Sequence, residues 1–400
     1  MYLLNRKTNN KYILISFIAF LMFFLTTLSI DGQVENIDSL KRILQSKITR
    51  EKIDILNQYT KKLITTDLLK ALEYASKADS LSQVYNYKRG RAIALINIGV
   101  IKKAAGEHEI SIALLKNSIE IAQKLNDQEL LGDGFLELGI VDYRKGDYDT
   151  ALVHLGKALE IRKTLQDTAG IGDAFNEIGN VNLFLAHYSM AVGFYFDALK
   201  IREAMNDQEK MAHTYNNIGI VNLYQDNFDV ALKYIKKSLH LKEQFADQKS
   251  VARSHNNIAL IYQLKGDFEE ALKSYIMAIS LLDSLSDQST ITTILGNIGE
   301  VYGEMGQYDE SLEYLMKVLK AKEQMNEKMD LASVLSIISK TNRLKGDYKE
   351  ALNYGFRSLN FGLEIKSKKE IKEAAENIFL TYEGMYDYKN ALKSFEEEKT

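Results

Sequence analysis

Six histidines, His108, His154, His187, His213, His240 and His255, are the side chains of this sequence that titrate near neutral pH and ligate metals most readily. Such work needs them to converge with carboxylates or with a nucleophile. Their spacing argues against convergence. At 40-residue intervals His255 lines up with Phe135, Phe175, Tyr215 and Leu295, a packing position, and His154 lines up with Phe194, Tyr234 and Tyr314. His108 stands where other segments carry a turn aromatic, and His187 where they carry a capping aspartate. No pair has HExxH spacing. There is no cysteine, so thiolate zinc sites, cysteine nucleophiles and disulfides are excluded. Gly132, Gly134 and Gly139 fall within a helical pattern with no strand before them, which a dinucleotide fingerprint would need. Neither GxxxxGK[ST] nor GxSxG occurs. No catalytic residue, metal site or cofactor is expected, and within these residues the chain is not expected to be an enzyme.

The polar chemistry that does recur is amide chemistry. Asn176, Asn216 and Asn256 are spaced by 40, and Asn217, Asn257 and Asn297 form a second series beside them. An asparagine offers donor and acceptor together, so a ladder of them can bracket the backbone of an extended peptide while apolar neighbours read its side chains. The same ladder could instead join one repeat to the next.

These positions are set by a period that runs through most of the 400 residues. One series reads Ala71, Ser111, Ala151, Ala191, Ala231, Ala271, Ser311, Ala351 and Ala391. Three residues earlier stand Tyr148, Tyr188, Phe228, Phe268, Tyr308, Tyr348 and Tyr388. A third reads Gly99, Gly139, Gly179, Gly219, Ala259 and Gly299, where a second helix must approach closely. Breaks such as Lys145-Gly146-Asp147 supply a left-handed C-cap and then an N-cap. The aspartates of Asn126-Asp127, Gln166-Asp167, Asn206-Asp207, Ala246-Asp247 and Ser286-Asp287 are further N-cap candidates. Each period therefore predicts a hairpin of two helices of about 17 residues, each about 25 Å long. The complete lack of proline agrees with long helices. Most of the 23 tyrosines occupy these structural series. Nine copies without insertion leave no loop long enough to carry an active site. With 51 Lys+Arg against 54 Asp+Glu, the chain lacks the basic footprint of a nucleic-acid binder.

The pattern aromatic-x2-Leu/Ile-Gly-x2-Tyr/Asn followed by Ala-x3-Tyr/Leu resembles the tetratricopeptide repeat, with a period of 40 rather than 34. That resemblance implies an all-α fold, a right-handed α-solenoid of about nine hairpins, at about 49–86, 87–126, 127–166, 167–206, 207–246, 247–286, 287–326, 327–366 and 367–400. Asn256-Asn257-Ile258-Ala259-Leu260-Ile261-Tyr262 is similar to the corresponding helix of kinesin light chains, whose repeats are understood to use such asparagines for peptide capture. It implies a protein or peptide segment held on the concave face by Asn176, Asn180, Phe184, His213, Asn216, Asn217, Leu223, Tyr224, Arg253, Asn256, Asn257 and Asn297. Chaperone-binding members clamp a terminal carboxylate with lysines and arginines here. This stretch offers only Arg253, which disfavours that ligand.

Arg6, Lys7 and Lys11 precede an apolar run from Tyr12 to Ile30, and Thr26, Thr27, Ser29 and Gly32 follow as small residues. Residues 1–32 read as a signal peptide, with an uncleaved membrane anchor as the alternative. Residues 33–48 read as a capping helix ahead of a repeat superhelix over 49–400. Cleavage would remove three bases and one acid, taking the formal charge from −3 to −5. The chain is thus expected to be exported, periplasmic or periplasm-facing, meeting a membrane only through this segment or a later span. This arrangement is similar to sensory portions of Bacteroidetes signalling proteins, which continue into a histidine kinase, nucleotide cyclase or DNA-binding regulator. In the last copy Glu398 and Lys399 replace the apolar pair seen at Ala158-Leu159, so a polar cap or a helix running on toward an output domain is expected there. A free-standing interaction scaffold is the other reading, and an intracellular regulator a third.

Overall fold

The computed structural model describes residues 49–245, 247–284, 287–325 and 328–391. The segments read as signal peptide (1–32) and capping helix (33–48), and the polar end of the last copy, lie outside the described residues.

Every regular element among the described residues is a helix. They are α1 (Thr49–Leu63), α2 (Leu68–Val84), α3 (Lys88–Ala104), α4 (His108–Leu125), α5 (Gln128–Lys145), α6 (Tyr148–Thr164), α7 (Thr168–Phe184), α8 (Tyr188–Ala204), α9 (Gln208–Tyr224), α10 (Phe228–Gln244), α11 (Gln248–Lys265), α12 (Phe268–Ser280), α13 (Gln288–Glu304), α14 (Tyr308–Met325), α15 (Lys328–Lys345), α16 (Tyr348–Ile365) and α17 (Lys368–Gly384). The chain divides into two compact units, Met1–Val181 and Asn182–Thr400. None of the described helices is long and apolar enough to cross a membrane.

The turns obey a period of twenty. Left-handed backbone recurs at Asn86, Gly106, Asn126, Gly146, Gln166, Ala186, Asn206 and Asp226, and again at Gly266, Gly306, Gly346, Lys366 and Tyr386. At Gly146 (φ 91) the pivot N–H donates to the Tyr143 carbonyl at 3.0 Å, and the next N–H, of Asp147, reaches the Asp142 carbonyl at 2.9 Å. This closes the end of α5, and the Asp147 carboxylate then accepts from the Thr150 N–H at 3.2 Å to start α6. Asp127, Asp167, Asp207 and Asp247 cap in the same way.

Asp287 does not. Its helix partner α12 stops at Ser280, earlier than its siblings, and the connection to α13 is correspondingly longer. The Asp287 carboxylate instead accepts from the Asp283 N–H within that connection at 3.1 Å and pairs with Lys249 Nζ of α11 at 2.8 Å. Asp287 thus stands at the N-cap position of α13 as expected, with its carbonyl accepting from the Ile291 N–H at 3.0 Å, but its side chain makes no capping bond.

In the hairpins from α3–α4 to α15–α16 a small residue meets a small residue twelve positions later. A Cβ placed on Gly139 would stand 2.7 Å from Leu155 Cγ and 3.2 Å from the Ala151 carbonyl oxygen. Ala151, Ala231, Ala271 and Ala351 are all fully buried. At two of these positions a serine turns its hydroxyl to backbone: Ser111 Oγ donates to the Gly99 carbonyl, and Ser339 Oγ to the Ala351 carbonyl, both at 2.7 Å, whereas the buried Ser311 hydroxyl makes no such bond. Each unit then builds its core from side chains flanking these contacts. Ile119, Leu138 and Val141 belong to one cluster of the N-terminal unit; Tyr195, Ile218 and Val221 belong to one of the C-terminal unit.

Gly139→Ala and Ala231→Leu should each overpack a helix crossing and destabilise the fold by about 1–3 kcal/mol in chemical denaturation. At Ala186 (φ 56) the backbone is already strained for a residue with a Cβ. Ala186→Gly should raise stability by up to about 1 kcal/mol, and a lowered midpoint would contradict that strain.

Candidate amide-lined binding face

The face in question is carried by the first helix of each hairpin. In the C-terminal unit these helices are α9, α11, α13, α15 and α17. The Asn257 amide N–H on α11 donates to Asn216 Oδ1 on α9 at 3.1 Å, and the Asn297 amide on α13 reaches Asn256 Oδ1 at 3.4 Å. The same offset, 41 residues, joins Asn377 on α17 to Ser336 on α15, at 2.9 Å to Oγ and 3.3 Å to the carbonyl. Asn216, Asn217, Asn256, Asn257 and Asn297 are all half-buried. Inter-repeat bonding is thus one real use of the ladder.

In the N-terminal unit, Asn176 is 6% exposed and donates to Glu177 Oε1 at 3.1 Å, while Asn180 donates to Glu177 Oε2 at 2.9 Å. Burial pushes the Glu177 carboxyl above the usual carboxylate range, against the lowering effect of these two amides and of Lys103. Lys103 itself pairs with Glu137 at 2.5 Å. Asn176, expected to face a ligand, is itself buried and bonded to the half-buried Glu177 carboxylate.

The remaining expected residues separate into two kinds. Phe184, Tyr224, His213 and Arg253 are exposed; Tyr224 stacks on Tyr188 with centroids 6.1 Å apart, and Arg253 donates to Ser250 Oγ at 2.9 Å. Leu223 is half-buried and packs against a core cluster with Ala231 and Ile235, so it supports the fold rather than reading a ligand. The His213 imidazole is held below its ordinary pKa, first by desolvation and then by the Lys242 ammonium.

Sequence reasoning passed over a buried basic series on the second helices: Arg162, Arg202, Lys242 and Lys322. Each reaches the following first helix or its turn. Arg162 meets Asp167 in the following turn and also Asp133 back on α5, Arg202 meets Thr214, and Lys322 meets Asp330. Lys242 Nζ meets a hydroxyl, donating to Ser254 Oγ at 2.9 Å, and its pKa falls to about 8 because burial strips its hydration and Arg253 repels it. Basic residues at one buried position every 40 residues were the available signal. Away from these, His154 Nδ1 lies 2.6 Å from Asp142 Oδ2 and its ring stacks on Phe135, a contact within one hairpin. Among the described residues no three metal-ligating side chains come together.

Paired antiparallel helices on a 40-residue period, closed by small residues and faced with amides, define a helical-repeat scaffold. A tetratricopeptide-repeat profile matches residues 90–164, 210–284 and 290–361, more than half of the chain. The chain belongs to the tetratricopeptide-repeat family. No curated protein sequence matches it significantly. Solved structures share its fold at low identity. A Rap protein complexed with Competence and Sporulation Factor superposes with a TM-score of 0.59 at 15% identity, over 87% of this chain and 97% of that one. The apo quorum sensor NprR from B. thuringiensis gives 0.58 at 16%, over 83% and 94%. A STAND protein with a tetratricopeptide-repeat sensor, from Pyrococcus horikoshii, gives 0.58 at 16%, over 81% and 55%.

Lysine 242 supplies a pH test. An unfolded lysine titrates near 10.5 and the folded one at about 8, so between those values the unfolded chain holds more protons. The contribution of Lys242 to stability is full above pH 10.5 and is lost as pH falls through 8. Lys242→Met should therefore be more stable than the parent at pH 7, by on the order of 1–3 kcal/mol. That gap should close toward pH 10.5 in urea titrations; parallel pH profiles would contradict a buried, depressed lysine.

Proposed function

We propose that the chain is a protein- or peptide-binding scaffold whose ligand lies along the amide-faced first helices α9, α11 and α13 of the C-terminal unit. The observation that carries this reading is the row of half-buried amides joined as Asn257 to Asn216 and Asn297 to Asn256. Each such pair uses one N–H and one acceptor site, whereas an asparagine amide has two N–H groups and an oxygen with two lone pairs. The bonds between repeats fix the orientation of the amides, and the capacity left over suits the alternating N–H and C=O of an extended backbone. Ile220 and Leu260 are half-buried beside them, and Tyr224 and Leu264 are exposed at the ends of the same helices, supplying apolar contacts for side chains. The Rap structure, complexed with Competence and Sporulation Factor, and the quorum sensor NprR support a sensing role for this fold.

We further infer that the scaffold is exported, as the sensory or interaction region of a signalling protein. The support is the basic stretch at Arg6, Lys7 and Lys11 followed by the apolar run to Ile30. In the alternative form of this reading, the chain is the sensor portion of a transmembrane kinase, cyclase or DNA-binding regulator.

A random peptide library displayed on phage and panned against the chain tests the groove. Selected peptides should lose at least tenfold in affinity for Asn216→Ala/Asn256→Ala, while the melting temperature stays within a few degrees of the parent. Equal affinity for the double variant would leave the amides with packing alone.

A further inference from the structure

A recess of about 300 Å³ opens between α15 and α17, well along the C-terminal unit from the paired asparagines. Its charges are sorted by helix. Lys340 and Arg343 line it from α15, and Glu373 and Glu376 from α17. Two bases facing two acids would ordinarily neutralise one another across so narrow a space. Here no ion pair joins the two bases to the two acids, although such pairs at 4.0 Å or less tie other neighbouring repeats together. Glu373 has only a long contact, 3.8 Å, with Lys369 of its own helix. Burial raises the Glu300 carboxyl of α13, and the charge of Lys340 works against that rise.

Arginine 343 is the informative member. Its side chain is half-buried, and its Nε–H is buried with no hydrogen-bond partner. A buried guanidinium donor left unpaired is costly. The rest of the guanidinium lines the recess, where a carboxylate can meet it in the two-pronged geometry that such groups favour. The floor is already rigid, because Asn377 is bonded to Ser336 at 2.9 Å. Ile337 and Leu380, both half-buried, give the recess an apolar wall on each helix. The N-terminal unit has a recess of about 360 Å³ with comparable charges, but its Arg89 is already held by Asp127 and Glu129 at 2.9 Å each.

We propose that the recess between α15 and α17 binds a small zwitterion with an apolar body, namely a free amino acid or a very short peptide. The ligand's carboxylate lies against Arg343 and Lys340, its ammonium against Glu373 and Glu376, and its side chain between Ile337 and Leu380. The volume admits a molecule of this size and no larger folded partner. A ligand carrying both charges replaces the ion pairs that the fold leaves unmade, and one carrying a single charge leaves two like charges uncompensated.

Isothermal titration of the chain with L-leucine, L-leucyl-L-leucine, N-acetyl-L-leucine and L-leucinamide tests this. Binding is expected for one or both of the first two, which distinguishes an amino acid from a dipeptide, and at least tenfold weaker binding for the two blocked compounds. Arg343→Gln and Glu376→Gln should each weaken the bound zwitterion at least tenfold; Glu376 is exposed, so its variant keeps the test open if Arg343→Gln fails to fold. Asn216→Ala/Asn256→Ala should bind it like the parent, which separates this site from the amide-lined groove. Absence of binding by both zwitterions, equal binding of the blocked compounds, or undiminished binding by Glu376→Gln would each overturn the proposal.

Discussion

The hairpin exists because two helices can touch backbone to backbone. Gly139 presents no side chain to the Ala151 carbonyl, and Gly299 presents none to that of Ser311, 3.3 Å from where a Cβ would sit. That approach fixes the crossing point of each pair, and the crossing point fixes which residues of the first helix remain outside. The amide face is a by-product of this arithmetic. Residues two or three positions before the glycine, such as Asn216 and Asn217 before Gly219, cannot point into the hairpin and therefore meet the neighbouring repeat or solvent.

Most of this architecture is legible in the sequence, since a turn or a helix crossing depends on residues close along the chain. The small-residue series, the Gly-Asp turns and the lengths of the helices all follow from local rules. What escapes is the fate of polar residues that share a position. Asn176 and Asn216 are equivalent by spacing, yet Asn176 bonds a glutamate and Asn216 accepts from another asparagine. The deciding residue is the next one, Glu177 in one copy and Asn217 in the other, together with the burial that makes a carboxylate recruit every nearby amide. Asp287 escapes for a different reason. Its sequence context matches Asp247, but the early end of α12 moves the chain before it.

Charge follows the same division. Basic side chains on the second helices lie at one buried position and are met by carboxylates at Arg162 and Lys322 and by hydroxyls at Arg202 and Lys242, while Leu282, just past the end of α12, takes the equivalent place with an apolar side chain. A single position thus samples an ion pair, a hydrogen bond and an apolar contact. The repeat tolerates all three because each junction touches only its neighbours, so a local penalty is not transmitted along the solenoid.

The turn that recurs every twenty residues has a mechanical side. Bonds between repeats span about forty residues, as between Asn216 and Asn257, so pulling on the ends loads the junctions in series. A hairpin that gives way frees 40 residues, roughly 130 Å of extended chain, where its folded stack had added only about 20 Å along the axis. Under tension the protein would lengthen stepwise, a spring whose increments are set by the distance between its glycines.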